Sequence, residues 1–263
     1  MIRVDHLVKT FGEIEAVRDI SFEVAAGEIF AFLGPNGAGK TTTIKMLTTL
    51  LRPTSGKVLI DGLDPTTHQN EVRKRFGIVF QDPSLDDELT AAENMWLHGA
   101  LYGVARRTAA ERTELLLKLF ELWERRNDPV KQFSGGMKRR LEIARALLHV
   151  PRIIFLDEPT LGLDPQTRNQ LWNHVRKLNA DEGVTVFLTT HYMEEAERVA
   201  SRIAIIDHGR IVAQGTAAEL KLQTGAETLE QAFLALTGTT IREESASSAD
   251  QMRNMSRMFR GRR

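Results

Sequence analysis

The 263-residue chain is long enough for one α/β domain with an inserted subdomain and a sizeable core. Its 35 Lys+Arg balance 35 Asp+Glu, a formal net charge of zero that gives no support for general nucleic-acid binding, so no nucleic-acid partner is expected. The absence of cysteine excludes a disulfide framework, a thiolate metal site and a cysteine nucleophile.

No stretch approaches the ~20 consecutive apolar residues of a membrane-spanning helix, and the Met1–Asp5 opening lacks the apolar core of a signal peptide. A soluble, cytoplasmic chain is expected. Two runs of alternating apolar and polar residues, Ile2–Leu7 and Ile20–Val24, predict half-buried antiparallel strands separated by a turn that carries Phe11. Phe30 to Leu33 is a short apolar run that predicts a buried strand. The next residues, Gly34-Pro35-Asn36-Gly37-Ala38-Gly39-Lys40-Thr41, fit G-x-x-x-x-G-K-[ST], and a helix is predicted over Thr42 to Leu51. Each residue type in that loop has a physical task. The glycines bring backbone N–H groups close to phosphate oxygens, and the helix adds its positive N-terminal end. Lys40 is placed to reach β- and γ-phosphates, while the Thr41 hydroxyl suits a magnesium ion.

Beyond this loop, Lys57–Ile60 and Gly77–Phe80 read as strands, the second delivering Gln81 at its end. The pattern then turns helical. Thr90-Ala91-Ala92-Glu93 is a capping box, and Leu115, Leu119 and Leu122 beside Leu116, Phe120 and Trp123 make a broad apolar face. Ser134 suits the N-cap of a helix through Leu148, with Gly135 and Gly136 leaving N–H groups open to an anion; a capped helix with a basic solvated face accounts for the same residues. From Pro151 strands and helices alternate again. Ile153–Leu156 is a buried strand ending in Asp157-Glu158, Asn169–Leu178 is helical, and Val184–Leu188 is a second buried strand. Ile203–Ile206 and Arg210–Ala213 follow, then a helix over Thr228–Leu236. A strand that ends in paired carboxylates puts them at the carboxyl edge of a sheet, where open α/β folds bind ligands. Asp157 there suits a magnesium shell and Glu158 a general base.

The expected fold is α/β: a phosphate-loop nucleoside triphosphatase core with a mainly parallel sheet, an N-terminal antiparallel β subdomain and a helical subdomain inserted at about 86–150. The domain is expected over 1–238. In the basic tail, 239–263, Met252, Met255 and Phe259 share one helical face; a solvated, disordered end and a segment that lies on an anionic membrane or a partner are both consistent with it.

The order of phosphate loop, Gln81, Ser134-Gly135-Gly136, Asp157-Glu158, Leu161-Gly162-Leu163-Asp164 and His191 resembles the ATP-binding subunits of ABC transporters. Phe133-Ser134-Gly135-Gly136-Met137 stands where the family has Leu-Ser-Gly-Gly-Gln. That form, with Leu229-Glu230-Gln231-Ala232-Phe233, is similar to the daunorubicin-resistance-type exporter ATPase branch. The resemblance implies a homodimer with two ATP molecules at its interface. Gly34–Thr42 of one copy would face Ser134, Gly135 and Gly136 of the other, with Asp164 linking the two sites. It further implies that Lys40, Glu158, His191 and Gln81 serve catalysis, that Gln81 touches the Mg2+ held with Thr41 and Asp157, or water, and senses the membrane partner, and that Phe11 stacks on adenine. A separate transmembrane permease is the implied partner, and the cytoplasmic face of the membrane the implied location. Export of a drug-like small molecule, import, and a soluble role on ribosomes or DNA share these catalytic residues. The last is disfavoured because no tandem cassette, coiled-coil arm or zinc module is present in the chain.

Overall fold

Four strands of the central sheet, β3 (Ile29–Leu33), β6 (Ile153–Asp157), β7 (Thr185–Thr190) and β8 (Arg202–Asp207), are apolar enough to be covered on both faces, and almost every residue in them is buried. They belong to a computed structural model that describes residues 1–238. The tail with Met252, Met255 and Phe259 lies outside the described residues. The sheet order is β5 (Phe76–Val79), β6, β7, β3, β8, β9 (Arg210–Gly215); all pairs are parallel except the β8–β9 hairpin.

Side chains alternate across this sheet, as strand geometry requires. Phe30, Phe32, Phe155, Phe187 and Ile206 face one way, onto a second sheet. Ala31, Leu33, Ile154, Leu156, Val186, Leu188, Ile203 and Ile205 face the other way, onto helices. The aromatic layer is continuous: Phe22 sits 5.6 Å from Phe30, 5.5 Å from Phe32 and 5.9 Å from Phe187 between ring centroids.

The second sheet is antiparallel, in the order β2 (Ile14–Val24), β1 (Ile2–Phe11), β4 (Ser55–Ile60). Its two N-terminal strands run longer than the alternation suggests, so that only Gly12 and Glu13 turn between them. The third strand comes from beyond the phosphate loop, pairing Ile2 with Ile60 and Val4 with Val58.

Between β5 and β6 lie α3 (Ala91–Leu101), α4 (Arg106–Leu119) and α5 (Gly135–Leu147). Thr90 and Glu93 form a reciprocal capping box at α3. The expected single apolar face from Leu115 to Trp123 is broken. α4 ends at Leu119, Glu121 takes a left-handed φ of 58°, and Leu122 and Trp123 pack from beyond the turn, while Leu115 is exposed. The helix after the phosphate loop, α1 (Lys40–Leu47), is likewise shorter than Thr42–Leu51 at its far end. α2 (Gln69–Arg73), α6 (Pro165–Glu182), α7 (Met193–Val199), α8 (Ala217–Thr224) and α9 (Leu229–Thr237) complete the chain. Among the described residues no helix is long and apolar enough to cross a membrane.

Candidate functional site at the carboxyl edge of the sheet

Parallel pairing brings the C-terminal ends of β3, β6 and β7 to one edge: Leu33 pairs with Thr190, and Asp157 with Thr189. The loop 34–39 leaves that edge and turns into α1 through Gly39, whose φ of 107° and close approach to the Ala16 carbonyl (2.6 Å from where a Cβ would stand) admit only glycine. Asn36 and Gly37 are exposed at the loop's crest and Ala38 is buried under it. Lys40 opens α1 and is itself buried. Its Nζ donates to the Gly34 and Pro35 carbonyls at 2.7 and 3.2 Å and lies 3.0 Å from Glu158 Oε1.

Asp157 Oδ1 accepts from Thr189 Oγ1 at 2.6 Å and from Thr41 Oγ1 at 3.3 Å. Its Oδ2 is buried with no hydrogen-bond partner among the described residues. Burial pushes the Asp157 carboxyl up from its ordinary value, against the hydrogen bonds from Thr189 and Thr41. An acidic oxygen shielded from water and left unpaired beside a threonine hydroxyl fits a hard divalent cation. Mg2+ needs only one or two carboxylates when phosphates and water supply other ligands, so the lack of a cluster of three or more His, Cys, Asp or Glu among the described residues does not oppose it.

Glu158 follows with φ 48°, a left-handed conformation rare for a residue with a Cβ and a feature of strained sites. Its backbone N–H is held by the Thr189 hydroxyl at 3.1 Å. One side-chain oxygen meets Lys40; the other is 2.7 Å from His191 Nδ1. A carboxylate only accepts, so Nδ1 carries the proton. Burial raises the Glu158 carboxyl, but the hydrogen bond from His191 and the Lys40 charge outweigh it, and the net displacement is below the ordinary value.

These contacts gather Lys40, Thr41, Asp157, Glu158 and His191 in one place. Gln81 is exposed just beyond β5 at the same sheet edge, and Phe11 is half exposed at the end of β1, with Lys9 Nζ 4.9 Å from its ring centroid. Ser134, Gly135, Gly136 and Asp164 form a second cluster. Ser134 Oγ caps α5 by accepting from the Met137 N–H at 3.3 Å, and Asp164 caps α6 by accepting from the Thr167 N–H at 3.0 Å. The two caps pack together, because a Cβ on Gly136 would stand 2.5 Å from Thr167 Cγ2. None of these four residues hydrogen-bonds the loop 34–42 among the described residues.

No local motif in the sequence marks Arg139. It is buried in α5 and donates to the carbonyls of Pro159 (2.7 Å), Phe80 (2.5 Å) and Glu158 (3.0 Å), with Glu142 at 3.0 Å as its counter-ion. Arg139 therefore bolts the start of α5 to the ends of β5 and β6. Thr189, by contrast, belongs to a polar pair ending an apolar strand, a signal that a sequence does carry.

A glycine-rich loop feeding a helix, with a lysine, two carboxylates and a histidine converging at the edge of a parallel sheet, defines a phosphate-loop nucleoside triphosphatase. The ABC transporter family model matches residues 17–161, more than half of the chain. The chain belongs to the ABC transporter family and is an ATP-hydrolysing transporter subunit.

Among its relatives is the daunorubicin/doxorubicin resistance ATP-binding protein DrrA of Streptomyces peucetius, 46% identical over 87% of this chain and 69% of the relative. The linearmycin resistance ATP-binding protein LnrL of Bacillus subtilis (strain 168) is 41% identical over 88% of this chain and 74% of the relative. Among solved structures, an ATP-binding subunit of an ABC transporter superposes with a TM-score of 0.81 at 32% identity, covering 90% of this chain and 99% of that one. The dimeric bacterial ABC transporter cassette MJ0796 superposes with a TM-score of 0.75 at 32% identity, covering 82% of this chain and 98% of that one.

Proposed function

We propose that the chain powers export of a small molecule of the drug or antibiotic class through a separate membrane permease, from the cytoplasmic face of the membrane. The observation that carries the chemical part is the convergence of Lys40 and His191 on the buried Glu158 carboxylate. In this reading Glu158 is the general base that orients and activates the attacking water, and His191 holds it in place. Lys40 and the N–H groups of residues 34–42 hold the phosphates, and Phe11 offers its ring face to the adenine. Thr41, Asp157 and Gln81 would hold Mg2+, which when bound neutralises phosphate charge.

The other half of the site comes from a second copy. Ser134, Gly135, Gly136 and Asp164 lie together, exposed for the most part, and make no hydrogen bond to their own phosphate loop. MJ0796 is described as a dimer, and as bound to ADP and Pi in a post-hydrolysis state. We assign residues 1–238 to the ATPase domain, with a helical subdomain over about 86–150 and 239–263 as a separate tail. Export, rather than import, rests on relatives named for drug, linearmycin and Nod factor resistance or export. The permease has an apolar docking face available on α3, where Trp96, Leu97 and Leu101 are exposed.

The test pairs a variant with a partner search. Glu158→Gln is expected to bind ATP with unchanged affinity and to stop turnover; hydrolysis at the wild-type rate would reject Glu158 as base. A tagged chain recovered from detergent-solubilised cells should carry a polytopic membrane protein of exporter architecture. Ribosomal proteins or an importer permease in its place would reject the export reading.

A further inference from the structure

Four residues beyond His191, Glu195 sits in the first turn of α7, where a carboxylate on the surface would gain from the helix N-terminus without losing water. It is buried instead, 6% exposed. Its Oε2 accepts from Thr160 Oγ1 at 2.7 Å and from Thr190 Oγ1 at 3.5 Å. Oε1 is buried and has no hydrogen bond of good geometry among the described residues. Burial pushes the Glu195 carboxyl up, against the influence of Thr160 and the Trp172 indole. A buried carboxylate is costly, and nothing in the chemistry proposed for Glu158 uses this one.

Its two partners stand at revealing places in the chain. Thr160 starts the segment that leads to Asp164, and its carbonyl accepts from the Leu163 N–H at 3.1 Å. Thr190 immediately precedes His191, and its hydroxyl accepts from the Tyr192 N–H at 2.9 Å. One carboxylate oxygen is thus shared by the segment that ends in Asp164 and the segment that carries His191. Arg168 joins the same two segments a second time, donating to the Leu163 carbonyl at 2.8 Å while its guanidinium lies 4.3 Å from the centroid of the Tyr192 ring.

We propose that Glu195 is a positioning residue for ATP hydrolysis: through Thr160 and Thr190 it sets the Asp164 segment and His191 in one fixed relation. This rests on the split-site reading, in which Asp164 meets the second copy while His191 holds Glu158. The role needs an acceptor oxygen rather than a charge. Gln supplies that oxygen and Ala does not.

The experiment measures kcat, KM, ATP affinity and Tm for full-length Glu195→Ala, Glu195→Gln, Thr160→Val and Glu158→Gln. Glu195→Ala should keep ATP affinity within about threefold and lose kcat by about 10- to 100-fold, the size expected when a buried hydrogen-bonded partner is removed. Glu195→Gln should recover kcat to within about threefold of wild type, and Thr160→Val, nearly isosteric, should reproduce the loss without relying on how Ala folds. Wild-type kcat in Glu195→Ala or Thr160→Val overturns the proposal. So does a Glu195→Gln as slow as the alanine variant, or a kcat loss that only follows a fall in ATP affinity and Tm. Turnover by Glu158→Gln would overturn the site reading itself.

Discussion

Glu158 concentrates the physical demands of the site in one side chain. It is buried, its φ is positive, and it faces a lysine and a histidine that together hold its carboxyl below the ordinary value. A carboxyl lowered in the folded state contributes stability above its ordinary pKa, and that contribution is lost as pH falls through the folded value. Wild type should therefore melt higher than Glu158→Gln at neutral pH, with the gap closing on acidification. Thermal melts across the acid range check this; a gap independent of pH would mean that Lys40 and His191 do not hold Glu158 ionised. Asp157 carries the opposite sign. Burial raises its carboxyl, so its own contribution is present below the ordinary value and lost as pH rises through the folded one.

At the level of elements, the site depends on the strands being pinned from both faces. Phe187 is fully buried at the centre of the aromatic layer, 5.7 Å from Phe30, 5.7 Å from Phe32 and 5.6 Å from Phe155. Phe187→Ala should cost about 3–5 kcal/mol in urea unfolding, through lost transfer energy and the cavity left behind. A loss under about 1 kcal/mol would show that the layer collapses to fill the space. Several elements were plain in the residues themselves, including the capping box at Thr90 and the cap at Ser134. The Thr216–Glu219 capping box that opens α8 is just as local but was passed over, because the segment after Ala213 is short and its periodicity weak. The break at Glu121 was hidden for a different reason. Apolar residues on both sides of the turn keep helical spacing, and only the backbone reversal separates them.

At the scale of the whole molecule, one chain holds two clusters that the proposed function reads as half-sites. The phosphate loop and Glu158 lie in one, and Ser134, Gly135, Gly136 and Asp164 in the other; Arg139 links α5 to the Glu158 carbonyl between them. A two-fold pair of such chains would build two complete sites. Lys40→Ala and Gly136→Val should each be inactive alone, the valine because its Cβ meets Thr167. Mixed in equal amounts, they should regain roughly a quarter of the wild-type ATPase rate, since half the dimers then hold one intact site of two. No recovery on mixing would mean that each chain works alone or that the sites fire only together.

The residues that meet at the sheet edge were legible in the sequence because they lie in short stretches. The loop 34–41 and the pair Asp157-Glu158 each combine residue types whose spacing follows from backbone geometry, whereas the segment 134–136 reads from its own residues as a helix cap and takes a site role only from the resemblance. What those stretches meet was decided by the tertiary structure. β4 leaves the phosphate-loop region to complete the antiparallel sheet, Arg139 reaches from α5 to the ends of both β5 and β6, and Glu195 joins Thr160 to Thr190. Such partners are separated by tens of residues, and no periodicity records them. They appear only when parallel pairing brings distant strand ends to a common edge, and burial then compels each polar group there to find a partner.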